Sequence, residues 1–280
     1  TFFGLLQVYT TVFHMNQGNP FKLKAVVDKW PDFTTVVIRP QEQEMTDDFD
    51  HYTNTYQIYY KNPTNCQEFL GASDVINWKQ HLQIQSSQSS LNEVIQNLAA
   101  AKLVKVKGAI NPLLMLMSHF IKKIIISGNL VAESIPLSVF FSLVLNSNQE
   151  MFKLSSLDVT HTALVDKFWR FGGNERSQRF IKRCIQTFPT FCLLGPEGTP
   201  VSWSLMDQTG EIRMGGTVPE YRAQGLSTYV MDVHIRTMDK LDYPTYYHTL
   251  ITNKIIQKIS HRLHHIIMPC DWNQWHCEPL

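Results

Sequence analysis

Charge of one sign is what this sequence most plainly lacks. Its 25 Lys and Arg residues stand against 24 Asp and Glu, a formal net charge of +1 over 280 residues. With no basic stripe either, the electrostatic footprint of a nucleic-acid binder is missing. Paired cysteines are missing too. Cys66, Cys184, Cys192, Cys270 and Cys277 are scattered, and no Cys-x-x-Cys occurs. An odd, widely spaced set in a chain this long argues for reduced thiols in an intracellular compartment and against a disulfide framework. His261, His264, His265, Cys270, His276 and Cys277 crowd the C-terminal end, but their spacing matches no structural zinc signature. No apolar run is long enough for a bilayer: the most apolar region, residues 110–145, is cut by Lys122, Lys123 and Glu133 into pieces shorter than the ~20 residues a span needs. G-x-S-x-G, P-loop and G-x-G-x-x-G motifs are all absent. The one Asn-x-Ser/Thr triplet, at Asn62, has proline in the middle and is no glycosylation acceptor. The chain opens on Thr1 without a methionine, so any targeting peptide is expected to have been removed or not included, and localisation is not read from this end.

What is present is globular. Hydrophobic residues make up 44% and charged residues 18%, and the length suits two domains at ~150 residues each. In the first third, "FKLKAVVDKW" reads as a helix leading into the strand "PDFTTVVIRP". "TYQIYYK" alternates as a strand, "SDVINWKQHLQIQ" reads as a helix capped by Ser73, and "SSLNEVIQNLAAAKLVKVK" as an amphipathic helix running into a short strand. Residues 108–147 are apolar with weak period. From Asp158 the pattern sharpens: a helix with an Asp cap ended by Gly172 and Gly173, a second capped at Asn174 and stopped by Pro189, then a hairpin through "PEGT". The strand at Glu211, the helix "GLSTYVMDVHIRTMDKL", the strand "YPTYYHTLI", the helix "NKIIQKISHRLHH" and the strand "IIMPC" follow, before an aromatic tail whose Trp272 and Trp275 read as a packing plug. This order predicts a mixed-sheet α/β domain with antiparallel strands first and a βαβ crossover after Glu211.

The chemistry concentrates in "GEIRMGGTVPEYRAQGLSTYV", residues 210–230. A helix N-terminus exposes unpaired N–H groups and a partial positive charge, which suits a pyrophosphate. Gly225 lets that backbone come close to a ligand, and Arg222 adds a cation. A lone R-x-x-G is a weak pattern, equally consistent with a glycine that tightens a loop. Glu211 has two readings as well: a solvated outer face, the usual fate of Glu on a strand, or a carboxylate beside the opened end of a sheet, where ligands of α/β folds gather. Arg213 shares its face by the period-two rule and is placed to pair with Glu211 or with an anionic substrate. Cys184 and Cys192 fall in helix and strand patterns and read as core, so no nucleophile is indicated.

These residues carry a resemblance. The element order and the R-x-x-G-x-S loop at 222–227 are similar to the GNAT acyltransferase superfamily, with Ser227 at the last small position of its Q/R-x-x-G-x-G/A signature. Long stretches, among them "GNPFKLKAVVDKWPDF", "INWKQHLQIQSSQSSLNEVIQNLAA", "FGGNERSQRFIKRCIQTFPTFCLLGPEGTPVSWSLMDQTGEIRM" and "DWNQW", resemble the vertebrate glycine N-acyltransferase family. The resemblance implies an α/β (α+β) fold: a C-terminal GNAT-like catalytic domain at 151–280, with a mixed central sheet and flanking helices, preceded by a second α/β domain at 1–150. It implies direct transfer of an acyl group, such as benzoyl, from coenzyme A to the amine of glycine, with Glu211 as general base. The loop Arg222, Ala223, Gln224, Gly225, Leu226 and Ser227 would hold the CoA pyrophosphate, and backbone N–H groups of Met214, Gly215 and Gly216 the thioester oxygen. The glycine carboxylate would need a cation, Arg213, Arg170 and Arg176 being candidates, and Tyr246, Tyr247 and His248 are candidate proton donors. Acyl-CoA enters as co-substrate, with no permanently bound cofactor and no metal. A monomer in the mitochondrion without a membrane span is expected. Against the family, the chain is expected to lack the first helix and to differ in residues 102–147 and in the strand at 245–252. Glutamine as acceptor, or a CoA-binding protein without catalysis, are the rival expectations.

Overall fold

The computed structural model describes residues 2–117, 151–263 and 265–280, and most of the atypical 102–147 block lies outside them. Two compact units emerge. Unit 1 comprises residues 1–115, 248–253 and 267–280, and unit 2 comprises 116–247 and 254–266. The division is therefore not a single cut at 150. The C-terminal segment, expected within an uninterrupted 151–280 domain, belongs to unit 1.

Unit 1 starts with α1 (Phe2–Asn16), followed by β1 (Leu23–Val27), β2 (Thr35–Pro40), β3 (Thr55–Tyr60), α2 (Pro63–Gly71), β4 (Leu82–Ser86), α3 (Leu91–Lys102) and β5 (Val104–Met117). Two expectations fail here. "FKLKAVVDKW" holds strand β1, not a helix, and "SDVINWKQHLQIQ" holds turns and then β4. In the second, the alternation of Leu82 and Ile84 with Gln83 and Gln85 was the stronger signal. All five residues of β4 are buried, so the glutamines must be satisfied inside, and Gln7 Nε2 donates to Gln85 Oε1 at 3.0 Å. β11 (Ile266–Pro279) turns the expected aromatic tail into a strand that pairs antiparallel with β4, Asn273 opposite Ser86 and Trp275 opposite Ile84. Trp272 and Trp275 are fully buried, as a packing plug requires. Trp275 packs with Val37, Tyr56, Ile58, Leu70 and Leu91, and its Nε1–H donates to Asn92 Oδ1 at 2.9 Å.

Unit 2 holds β6 (Lys153–Ser155), α4 (Thr162–Phe168), α5 (Glu175–Thr187), β7 (Phe191–Leu194), β8 (Pro200–Met206), β9 (Ile212–Thr217), α6 (Leu226–Lys240) and α7 (Lys254–Arg262), with β10 (Tyr246–Leu250) starting in it. Asn174 caps α5 as expected: its Oδ1 accepts from Arg176 and Ser177 N–H, and Ser177 Oγ answers the Asn174 N–H. One sheet runs β6-β7-β8-β9, and the other runs β1-β2-β3-β4-β11-β5-β10.

The two units share a motif of antiparallel strands, a helix, and a strand parallel to the last of them, with three antiparallel strands (β1 to β3) in unit 1 and four (β6 to β9) in unit 2. In unit 1 the third and fourth strands zip together over Thr55↔Gln83, Tyr56↔Ile84 and Gln57↔Gln85. In unit 2, β9 and β10 meet at one isolated parallel bridge, Glu211↔Tyr246. β9 is thus the edge of its sheet beyond Glu211, and α6 begins where that edge opens.

Candidate active site

Glu211 stands at the end of a tight turn between β8 and β9. Gly210 N–H donates to Asp207 O and Asp207 N–H to Glu211 O, both at 3.0 Å. The Asp207 carboxylate folds over the turn, where Oδ1 accepts from Thr209 N–H at 2.8 Å and from Thr209 Oγ1–H at 2.6 Å. The strand period brings Arg213 to the same face as Glu211. Its Nη1 donates to Asp207 Oδ2 at 3.0 Å and lies 3.9 Å from Glu211 Oε2. The Trp169 ring covers the guanidinium, with Cζ 5.2 Å from the ring centre. Across the bridge, the Tyr246 hydroxyl is 2.8 Å from Thr209 Oγ1.

Glu211 is 2% exposed and Asp207 1%, so the reading of Glu211 as a solvated outer face does not hold. Burial pushes the Asp207 carboxyl up against the pull of Arg213. Burial works against the Arg213 charge as well, but the Glu211 and Asp207 carboxylates outweigh it and hold the guanidinium above its ordinary value. Tyr246 is pushed well up by burial, then by both carboxylates, and stays a neutral phenol. The site is therefore a buried cluster of two carboxylates and one cation. Arg213, one candidate for a substrate carboxylate, is engaged by Asp207.

Past Arg213 the strand bulges. Pairing with β8 steps from Leu205↔Arg213 to Trp203↔Gly216, one more residue on β9 than on β8, and Met214 takes φ 57°. Trp203 Nε1–H donates to Met214 O at 3.1 Å. A Cβ on Gly216 would lie 2.7 Å from Trp203 Cζ2, so the glycine there makes room for the indole. Thr217 Oγ1 then bridges Ser202 Oγ at 2.9 Å and Ser227 Oγ at 2.6 Å. Arg222 Nε–H donates to Thr217 O at 3.1 Å, which folds the loop back on the strand. Arg222, Ala223, Gln224 and Gly225 are exposed. Gly225 caps α6 at φ 80° and makes no side-chain cap hydrogen bond. A Cβ at Gly225 would meet nothing within 4 Å, so the left-handed backbone and the open approach, not a crowded interior, account for glycine here.

The Leu226 side chain is 5% exposed in a core with Phe152, Leu193, Val201 and Val230, and the expectation for this residue concerns its backbone amide. The Tyr247 hydroxyl lies 2.6 Å from both Ser260 Oγ and His265 Nδ1, and His248 stacks on Trp272 at 4.9 Å in unit 1. Among the described residues no three His, Cys, Asp or Glu groups could hold a metal, and no helix is long and apolar enough to cross a membrane. Asp207, Thr209 and Trp169 went unread in the sequence. The turn "DQTG" before Glu211 was a signal for the first two; Trp169 is brought in by tertiary folding alone.

Comparison with known proteins places this arrangement in context. The family model described as aralkyl acyl-CoA:amino acid N-acyltransferase matches residues 4–189, and the model of its C-terminal region matches residues 191–279. The chain is 68% identical over 275 residues to glycine N-phenylacetyltransferase of Bos taurus, and 62% identical over 282 residues to glycine N-acyltransferase of Homo sapiens, covering 98% of this chain and 92% of each relative. A crystal structure of a Drosophila protein matches with a TM-score of 0.72 at 12% identity, over 99% of this chain and 90% of that one. A GCN5-related N-acetyltransferase-like protein from Streptococcus suis matches with a TM-score of 0.53 at 12% identity, over 95% and 92%. These likenesses show the mixed α/β acetyltransferase fold.

Proposed function

The chain belongs to the aralkyl acyl-CoA:amino acid N-acyltransferase family, and on that premise we propose that it transfers an acyl group from coenzyme A to glycine, with Glu211 as the base. The observation that carries the residue assignment is a buried carboxylate, 2% exposed, at the bridge where β9 and β10 part, one strand ahead of an open helix N-terminus.

Glycine's amine is mostly protonated at neutral pH and attacks only as the free amine. Glu211, in direct contact or through one water, takes the amine proton. The C–N bond forms as the C–S bond breaks, and CoA leaves as a thiolate that needs little acid help and takes up a proton again. No covalent enzyme intermediate is needed, which suits a site without an activated Cys or Ser. The thioester oxygen is assigned to backbone N–H groups of Met214, Gly215 and Gly216 on the open edge of β9. The CoA pyrophosphate is assigned to the loop Arg222–Ser227 and the first amides of α6. The enzyme acts on this reading as a monomer in the mitochondrion, which size-exclusion chromatography and cell fractionation test.

The reading is tested by incubating the protein with benzoyl-CoA or phenylacetyl-CoA and either glycine or glutamine, and detecting the N-acyl amino acid by mass. N-acylglycine should dominate. A faster reaction with glutamine would reassign the acceptor, and no product with any acyl-CoA would leave a CoA-binding protein without catalysis.

A further inference from the structure

The buried cluster holds a group that the transfer step does not itself use. We infer that Asp207 and Arg213 are positioning residues that set the base strength of Glu211, Asp207 by drawing the arginine's charge away from it. The inference rests on the reading of Glu211 as the general base.

The geometry is unequal. Arg213 Nη1 makes a hydrogen bond of 3.0 Å to Asp207 Oδ2 but stops 3.9 Å from Glu211 Oε2, outside the range of a good hydrogen bond. Asp207 is itself held in place, because its other oxygen takes both Thr209 donors. Trp169 lies over the guanidinium, which keeps water from screening the three charges. A full ion pair with Arg213 would make Glu211 a weak base. With no cation at all, two buried carboxylates would repel, and Glu211 would hold its proton into the neutral range. Sharing one cation unequally between the two sets Glu211 between these extremes.

Among the described residues, the titratable groups that act on the cluster include Cys184, beside Arg183 on α5, and Tyr246 on β10. Cys184 and Tyr246 are both pushed up by burial and stay neutral. Asp207 and Arg213 are therefore the charges positioned to tune Glu211.

The test is the acid limb of kcat/KM against pH, which reports the free enzyme's base. In Asp207→Asn the arginine turns its whole charge on Glu211, so the limb should move to lower pH, by about one unit or more, and the plateau should fall because the base is weaker. In Arg213→Gln the limb should move to higher pH by a similar amount, and Arg213→Lys should bring it most of the way back. Thr209→Val, which removes the hydroxyl shared by Asp207 Oδ1 and the Tyr246 hydroxyl, should shift the limb downward by less and remains readable if Asp207→Asn does not fold. Limbs that stay put, or that move the same way in Asp207→Asn and Arg213→Gln while the proteins melt normally, overturn the inference. Glu211→Gln measured alongside separates the two readings. If that variant keeps the acid limb, Glu211 is not the base. If it loses the limb while the others are unmoved, only the tuning fails.

Discussion

Replacing Glu211 with Gln removes one charge from a cluster of three and leaves the shape almost unchanged. The fold should tolerate it, because the amide is nearly isosteric with the carboxylate and the 3.0 Å bond between Arg213 and Asp207 remains. CoA affinity should hold too, since the proposed phosphate loop lies beyond the β9 bulge. Turnover is different. A positioned general base contributes roughly 10²- to 10⁴-fold, which at about 1.4 kcal/mol per tenfold is a barrier increase of about 3–5.5 kcal/mol. The loss should shrink as pH rises, because more glycine arrives already deprotonated. Release of the CoA thiol, followed at neutral and alkaline pH at fixed acyl-CoA, reads this directly. A variant within about twofold of the parent at every pH, or equally crippled at neutral and alkaline pH, would refute the role of Glu211. So would loss of CoA binding in a titration.

Gly225→Val should weaken CoA binding far more than it weakens folding: the left-handed site, φ 80°, costs the valine about 1–2 kcal/mol, while the side chain enters the approach to the α6 amides. A CoA titration beside a thermal melt checks it, and unchanged affinity would make the loop purely structural. Gly216→Ala should do the reverse and destabilise by about 1–3 kcal/mol, because its Cβ would lie 2.7 Å from the Trp203 ring; urea unfolding measures this. Burial pushes the Cys66 and Cys277 thiols up to about 12 and Cys192 to about 11, and Cys184 well above its ordinary value. A disulfide reagent at neutral pH should therefore modify the half-buried Cys270 first and the rest only after denaturation. Burial also lowers His14 to about 4 and His234 to about 3. The unfolded chain takes up these protons near 6.5 and the folded chain does not, so stability is intact above that pH and falls as pH drops toward 4. At pH 5 each should cost about 2 kcal/mol, seen as a melting temperature that declines between pH 7 and 5 and declines less in His234→Phe.

Local signals in the sequence carried most of the second half. The α5 cap at Asn174, the hairpin of β7 and β8, and the strand-loop-helix passage from Glu211 through Gly225 are written in neighbouring residues, so short-range rules reach them. The long stretches shared with a family carried the activity. The first half was less legible where two periods compete: "FKLKAVVDKW" allows either element, and only pairing of Leu23–Val27 with Val36–Pro40 selects the strand.

Periodicity could not say which sheet a strand joins. The "DWNQWHCEP" tail looks like a plug from its composition, yet it becomes a strand against β4, because its partner Ser86 lies 187 residues from Asn273 and no local rule spans that separation. The nature of the site was undecided for the same reason. The sequence determined that a carboxylate and an arginine share one face of β9 ahead of an Arg-x-x-Gly loop. Tertiary structure decided that Trp169 lies over Arg213, that Tyr246 bridges to Glu211, and that Glu211 is buried. Whether a strand carboxylate meets water or protein depends on what the rest of the chain packs against it.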